Sequence, residues 1–230
     1  MLELFPEGFE EQERDGGVEL AAYTDAQGEE RLWHVFGGAT AVDVADGWED
    51  RWRTFHKPAR VGRLWIGPPW EPHDGEELPV VIDPGRAFGT GAHPTTRLCL
   101  ELLQRIEPRS LLDIGCGSGV LSIAAALLGF APITAVDIDD AAIEATRENA
   151  RANGVEVTTL RVEPDGPLPA AGVAVANISI EGVRDVVPRL DAGELITSGY
   201  LASTAIALDG YAHVERLDAD GWAADLHRRA

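Results

Sequence analysis

From Val80 onward the sequence alternates short apolar runs with helix-like segments, and this alternation limits the possible folds more than any other feature. The runs predicted as strands are PVVID, SLLDIG, ITAVDI, VTTLRV, VAVANI and ELITSG. The segments predicted as helices are 95–106, 118–128, 140–152, 180–190 and 201–208. Strands that alternate with helices form mostly parallel sheets with helices on both faces. We therefore predict an α/β domain.

The end of the chain departs from this alternation. YAHVERL and WAADLHR are strand-like runs separated by DADG, a sequence typical of a tight turn. They predict a hairpin that adds an antiparallel edge to the sheet.

The first 56 residues have another pattern. GVELAAYTD and RLWHVFGG are strand-like, AQGEE between them predicts a hairpin, and residues 46–56 predict a short helix. The next stretch is rich in proline and glycine, which is typical of a linker. The predicted organisation is a small α+β domain in residues 1–56, a linker in 57–78 and the main domain in 79–230.

Charge limits the possible partners. The 230 residues carry a net charge of −20, and residues 1–77 hold 18 acidic against 7 basic side chains. Binding to nucleic acid or to anionic lipid needs clustered lysine and arginine, so we expect no direct contact with either. A basic partner would be attracted, although acidity can also serve solubility alone.

Several features predict a cytoplasmic protein. No basic segment followed by an apolar one opens the chain, so we expect no export signal. Gly129 and Pro132 divide the longest uncharged run into pieces suited to a buried core rather than to a membrane span. Cys99 and Cys116 have neither the spacing of a disulfide framework nor that of a metal site.

The stretch DIGCGSGV, residues 113–120, places a glycine turn between a strand and a helix. This pattern is typical of a nucleotide-binding loop at the carboxyl edge of a parallel sheet. The dinucleotide fingerprint G-x-G-x-x-G would need glycine where Val120 stands, which disfavours NAD. Asp113 would repel a pyrophosphate but suits a cationic ligand. S-adenosylmethionine, with its sulfonium and ammonium groups, is the candidate ligand.

Asp137 ends the next predicted strand, 22 residues after Gly115. A carboxylate at that position can accept hydrogen bonds from both ribose hydroxyls, which indicates a nucleoside but not which one. The alternative role, capping the next helix, fits Asp139 better.

Five stretches together resemble the PrmA family of bacterial ribosomal protein L11 methyltransferases. They are IDPGRAFGTGAHPTTRLCLELL, LLDIGCGSGVLSIAAALLG, AVDIDDAAIEATRENARANGV, VANI and SGYL. The resemblance implies a class I methyltransferase fold with a seven-stranded sheet. It also implies methyl transfer from S-adenosylmethionine to lysine ε-amines and the N-terminal α-amine of L11. Relative to the family, the N-terminal recognition domain looks shortened.

The family's donor-binding positions fall on Thr96, Gly115, Asp137 and Asn177 in this sequence. From the loop itself we add Asp113 and Gly117 to the predicted donor site. Asn177 is the candidate catalytic residue, because a side-chain amide at the end of a strand can orient the reactants. No metal ligands are predicted.

Methyl transfer to an amine needs orientation and desolvation more than acid–base groups. AFGTGAHPTT predicts a flexible lid, since Gly89 and Gly91 allow backbone conformations closed to other residues. His93 in that stretch is a possible base, but a structural role is favoured. The alternatives are methylation of another protein or a small-molecule amine, a module that only binds the donor, and a nicotinamide-dependent oxidoreductase.

Overall fold

The computed structural model describes residues 10–14, 17–21, 57–73, 75, 78–83 and 91–230. The described strands are β1 (Glu10–Arg14), β2 (Gly17–Ala21), β3 (Ala59–Val61), β4 (Leu64–Gly67), β5 (Leu78–Val81), β6 (Leu111–Ile114), β7 (Ile133–Asp137), β8 (Thr158–Arg161), β9 (Ala171–Asn177), β10 (Ala192–Leu201), β11 (Tyr211–Ala219) and β12 (Trp222–Arg229). The described α-helices are α1 (Pro94–Leu103), α2 (Val120–Leu127), α3 (Asp140–Ala152) and α4 (Ile180–Val186). The chain divides into two compact units, Met1–Arg53 and Thr54–Ala230.

The second unit contains a seven-stranded sheet in the order β11-β12-β10-β9-β6-β7-β8. Five neighbouring strands pair in parallel, in the spatial order β10, β9, β6, β7 and β8. Strand β12 pairs antiparallel with both of its neighbours, β10 and β11. The predicted parallel sheet and its antiparallel hairpin are therefore confirmed. The chain leaves β6 toward β7 on one side and returns to β9 on the other, so the strand order reverses between β6 and β9.

The two faces of the sheet carry separate cores because side chains alternate along each strand. On β9, Val173 and Val175 belong to the cluster that includes residues of α1, α2 and α3. Ala174 and Ala176 belong to the opposite cluster, which includes Val183 of α4. No helix in the described residues is both long and apolar enough to cross a membrane.

Part of the predicted linker is folded. Strands β3 and β4 lie within residues 57–78, and with β5 they form a three-stranded sheet. Leu64, Trp65 and Ile66 are almost fully buried, and Leu64 and Ile66 join the α1 face of the core. The linker interpretation is wrong for these strands, since their apolar run outweighs the surrounding glycine and proline residues.

Two of the predicted helices differ from the structure. Residues 202–208 form no helix; the guanidinium of Arg216 instead donates to the carbonyl oxygens of Ala202 (3.1 Å) and Thr204 (2.9 Å). Tertiary partners thus satisfy backbone groups that a helix would otherwise pair. The helix predicted over 180–190 ends at Val186, and a 3₁₀ turn containing Pro188 follows it.

In the first unit, β1 and β2 pair antiparallel, with Glu10 opposite Ala21 and Arg14 opposite Gly17. The strand predicted in GVELAAYTD is confirmed over β2. Strand β1, with the sequence EEQER, was not predicted because it lacks apolar alternation. The predicted strand RLWHVFGG and the predicted helix 46–56 lie outside the described residues.

Candidate functional site

The predicted site residues gather at the carboxyl edge of the sheet, around the point where the strand order reverses. Open α/β sheets bind ligands in the crevice at this position. Strand β6 leads into the glycine loop, β7 ends at Asp137 and β9 ends at Asn177. Thr96 lies in the first turn of α1, which contacts β9 and β10.

The glycine loop has the geometry that its sequence predicts. Gly115, Gly117 and Gly119 all have positive φ, with values of 73°, 53° and 82°. The Gly115 amide donates to the carbonyl oxygen of Val136 at 2.9 Å, and the Gly119 amide closes the turn on the carbonyl oxygen of Cys116 at 2.8 Å. Three left-handed residues in five positions explain why glycine recurs here.

Helix α3 holds this loop through two side chains that the sequence analysis missed. The Thr146 hydroxyl donates to the Gly117 carbonyl oxygen at 3.0 Å, and the Asn149 amide donates to the Ser118 carbonyl oxygen at 2.9 Å. A Cβ on Gly119 would lie 2.9 Å from Cγ2 of Thr146. Their sequence signal is two polar residues three apart on the buried face of an otherwise amphipathic helix.

Asp113 is buried at the end of β6, with 1% of its surface exposed. Its Oδ2 accepts hydrogen bonds from the hydroxyl (2.6 Å) and the amide (3.2 Å) of Ser122. Its Oδ1 is buried without a hydrogen-bond partner. Burial raises the pKa of Asp113 to about 6, Ser122 opposes the rise, and Asp137 adds to it. A cation beside Oδ1 would stabilise the ionised form.

Asp137 is half-buried and lies next to the glycine loop. Its Oδ2 accepts from the Gly117 amide and its Oδ1 from the Asp139 amide, both at 3.1 Å. The N-cap of α3 is Asp139, whose side chain accepts from the Ala141 amide at 2.9 Å. The expectation that Asp139 takes the capping role is confirmed, and each oxygen of Asp137 keeps a lone pair for a ligand.

Asn177 and Thr96 meet although 81 positions separate them in the chain. The Asn177 amide donates to the Thr96 hydroxyl at 3.4 Å, the long limit of a hydrogen bond. Thr96 is 2% exposed, whereas Asn177 is half-buried. The N-cap of α4 is Ser179, which accepts from the Gly182 amide, so Asn177 is free of that structural role.

The stretch AFGTGAHPTT is described only from Gly91 onward, so the predicted lid and Gly89 lie outside the described residues. Gly91 has the expected positive φ of 85°, and a Cβ there would lie 2.3 Å from Cγ2 of Ile66. His93 is the N-cap of α1, with Nδ1 2.7 Å from the Thr95 hydroxyl. The structural interpretation of His93 is therefore confirmed.

Two apolar side chains at the edge were also missed. Ile138, directly after Asp137, is 57% exposed. Ile178, directly after Asn177, packs in space against Gly115 and Gly199. A Cβ on Gly115 would be 2.4 Å from Cγ2 of Ile178, and a Cβ on Gly199 would be 2.0 Å from the carbonyl oxygen of Ile178. The signal for Ile138 is a large apolar residue just beyond the end of a strand, where burial is not expected.

The chain is similar to known proteins in sequence and in fold. The family model described as ribosomal protein L11 methyltransferase (PrmA) matches residues 10–228. A protein of that name from Hahella chejuensis is 45% identical over 70% of this chain and 57% of its own length. Another, from Sodalis glossinidius, is 45% identical over 74% of this chain and 62% of its own length.

The crystal structure of a ribosomal protein L11 methylase from Lactobacillus delbrueckii subsp. bulgaricus superposes with a TM-score of 0.65 and 29% identity. The match covers 73% of this chain and 95% of that chain. The predicted class I methyltransferase fold is thereby confirmed. This chain spans less than two thirds of the length of the two curated relatives. With the family model covering nearly all of its sequence, the chain belongs to the PrmA family.

Proposed function

We propose that this protein transfers methyl groups from S-adenosylmethionine to lysine ε-amines, the N-terminal α-amine, or both, of ribosomal protein L11. The proposal rests on the side chains that the structure brings together at the carboxyl edge of the sheet. The unpaired oxygen of Asp113 and the carboxylate of Asp137 flank the glycine loop, and Asn177 meets Thr96 beside the point of strand reversal. The names of the relatives support the same activity.

Asp113 favours a cationic donor. Its buried Oδ1 has no partner in the protein, and an unpaired buried carboxylate oxygen is costly. An ammonium or sulfonium group nearby would lower that cost, whereas a pyrophosphate would increase it. This argues for S-adenosylmethionine over NAD, in agreement with the positions of Gly115, Gly117 and Gly119.

Asp137 and Ile138 suit the nucleoside part of the donor. The remaining lone pairs of the Asp137 carboxylate can accept from two ribose hydroxyls, since its oxygens are already oriented by the amides of Gly117 and Asp139. The exposed side chain of Ile138 offers an apolar surface for an adenine ring. The residues present therefore fit the donor.

Asn177 and Thr96 act at the reacting end in this proposal. When bound, the donor supplies a methyl carbon that bonds to the amine nitrogen as its bond to sulfur breaks, with the electron pair left on sulfur. The amide of Asn177 and the hydroxyl of Thr96 would orient the reacting groups, while the amine gives its proton to water. Alignment of this kind acts mainly on the rate of the chemical step.

The proposed acceptor is basic, and the enzyme's charge fits it. A net charge of −20, with its highest density in residues 1–77, would steer a cationic ribosomal protein toward the enzyme. We assign substrate recognition to residues 1–56 and the chemistry to residues 79–230. A ribosomal acceptor implies that the reaction occurs in the cytoplasm.

The test is to incubate the protein with isotope-labelled S-adenosylmethionine and whole ribosomes, and to identify labelled proteins by mass spectrometry. We expect label on L11 with the wild-type protein and little with Asn177→Ala. Label on another ribosomal protein or on a small amine would change the substrate but keep the reaction. Donor binding without transfer to any acceptor would contradict the proposal.

A further inference from the structure

A one-residue bulge in β10 decides which of its side chains face helix α1. Ser198 pairs with Ala224, but Leu201 pairs with Trp222, and the register shifts around Gly199. Because side chains alternate along a strand, one extra residue turns every later side chain to the opposite face. Leu201 therefore lies on the same face as Ser198.

The bulge sends Tyr200 to the other face, where a buried polar network holds it. The Tyr200 hydroxyl lies 2.7 Å from the Thr197 hydroxyl and 2.8 Å from Oδ2 of Asp225. Asp225 is fully buried and also accepts from Arg216 and His213. Burial alone would raise the pKa of Asp225, but the hydrogen bonds outweigh it and the pKa is lowered. The anchored network fixes the bulge.

Leu201 and Trp222 share the face on which the proposed reacting end lies. The ring of Trp222 packs edge-on against His93, with 4.9 Å between ring centroids, and His93 caps α1 three residues before Thr96. In the parallel pairing of β9 with β10, Ser198 is opposite Asn177. Leu201 lies three residues further along β10, which is at most about 10 Å beyond Asn177.

Leu201 is a large apolar side chain that is exposed at the carboxyl edge of the sheet. Among the described residues the exposed large apolar side chains are Ile138 (57%), Leu160 (42%), Leu201 (54%) and Val214 (45%). Leu160 and Val214 lie within β8 and β11, the outer strands of the sheet. Ile138 and Leu201 instead lie at the carboxyl edge, on opposite sides of β6 and β9. With the nucleoside assigned to the side of Ile138, the side of Leu201 is left for the acceptor.

We propose that Leu201 and Trp222 form the acceptor wall, which contacts the methylene stem of the lysine to be methylated. This inference rests on the proposed function. A lysine side chain combines an apolar stem with a cationic head. The acceptor wall matches the stem. In the turn before Trp222, the carboxylate of Asp220 is 66% exposed and forms an ion pair with Arg97 at 2.7 Å. An apolar surface next to the amine also favours its neutral, reactive form.

The test compares Leu201→Ser with Val214→Ser, a matched change at another exposed apolar position of the same sheet. We expect Leu201→Ser to lower kcat/KM for ribosomal protein L11 by about tenfold, because lost apolar contact weakens acceptor binding. The donor dissociation constant, measured by calorimetry, should stay within twofold. Val214→Ser should leave both constants within twofold, and Leu201→Met should retain most of the activity.

The possible outcomes separate this inference from the function on which it rests. If the wild-type protein methylates L11 and Leu201→Ser matches Val214→Ser, the acceptor wall is wrong while the proposed function stands. If Leu201→Ser weakens donor binding as much as kcat/KM, Leu201 belongs to the donor site and the inference is overturned. If the wild-type protein binds donor but methylates no protein, the proposed function fails and the acceptor wall fails with it.

Discussion

The two sides of the carboxyl edge are built in different ways. The proposed donor side, around Asp113 and Asp137, comes from one continuous stretch between β6 and α3. The proposed acceptor side, around Asn177 and Leu201, is assembled from α1, β9, β10 and β12, and its Asn177–Thr96 contact joins residues 81 positions apart.

The difference lies in what holds each side in place. Hydrogen bonds within that one stretch fix the donor side, such as those from the amides of Gly117 and Asp139 to Asp137. Strand register and the buried carboxylate of Asp225 fix the acceptor side. Mutations on the donor side should therefore change donor affinity, and mutations on the acceptor side should change stability, acceptor binding or turnover.

The largest effect is expected for Asp225→Ala. This change leaves the guanidinium of Arg216 and the hydroxyl of Tyr200 without their buried partner. We expect the free energy of unfolding to decrease by about 3 kcal/mol. Urea titration measures the change. Asp220→Ala removes a solvent-exposed ion pair with Arg97 and should cost no more than about 0.5 kcal/mol. Equal losses in the two variants would mean that the network does not anchor the bulge.

Asn177→Ala should have the next largest effect, on turnover rather than on folding. Loss of alignment at the reacting end should lower kcat about 100-fold and change the donor dissociation constant less than threefold. Ser179→Ala is the control, because it removes the N-cap of α4 and should cost about 1 kcal/mol of stability with kcat retained. Full activity in Asn177→Ala would remove that residue from the site.

Asp137→Ala should weaken donor binding by about 1.5 to 3 kcal/mol, since two charge-assisted hydrogen bonds to ribose are lost. Calorimetry measures this directly. Asp139→Ala removes the neighbouring cap of α3 and should leave the donor dissociation constant within threefold. If both variants bind donor as the wild type does, the ribose assignment is wrong.

The smallest expected effect is the release of protons when the donor binds. Burial raises the pKa of Asp113 to about 6, and a cationic donor favours the ionised carboxylate, so binding lowers that pKa and releases protons. Near pH 6 we expect release of about half a proton per donor, with affinity rising as pH increases through 6. Calorimetry in buffers of different ionisation enthalpy detects this. No release in the wild type would argue against a cation at Asp113.

The same contrast explains what the sequence could predict. DIGCGSGV and Asp137 were identified because strand, turn and ligand contacts lie within a short stretch. Sequence patterns also predicted the order of the strands from β6 to β12 and the helices α2, α3 and α4 between them. Two regions were mispredicted because their partners are distant in the sequence. Strands β3 and β4 lie in the predicted linker, and β4 packs against the α1 face of the core. Residues 202–208 form no helix, and the guanidinium of Arg216 binds their backbone instead.

The bulge at Gly199 lay beyond sequence reasoning for a related reason. SGYL is a plausible strand end in either register, and only the pairing of β10 with β12 places Leu201 opposite Trp222. The network at Asp225 likewise draws on three strands. A pattern along one strand cannot indicate which face its later residues occupy once a bulge intervenes.

A crystal structure of the protein with S-adenosylhomocysteine, the product left after methyl transfer, tests the central claim most directly. We expect both ribose hydroxyls within hydrogen-bond distance of the Asp137 carboxylate, the ammonium group beside Oδ1 of Asp113, and the sulfur facing Asn177 and Thr96. The space toward Leu201 and Trp222 should stay open for the acceptor. A nucleoside bound away from Asp137, or a product molecule covering Leu201, would contradict the division of the carboxyl edge into donor and acceptor sides.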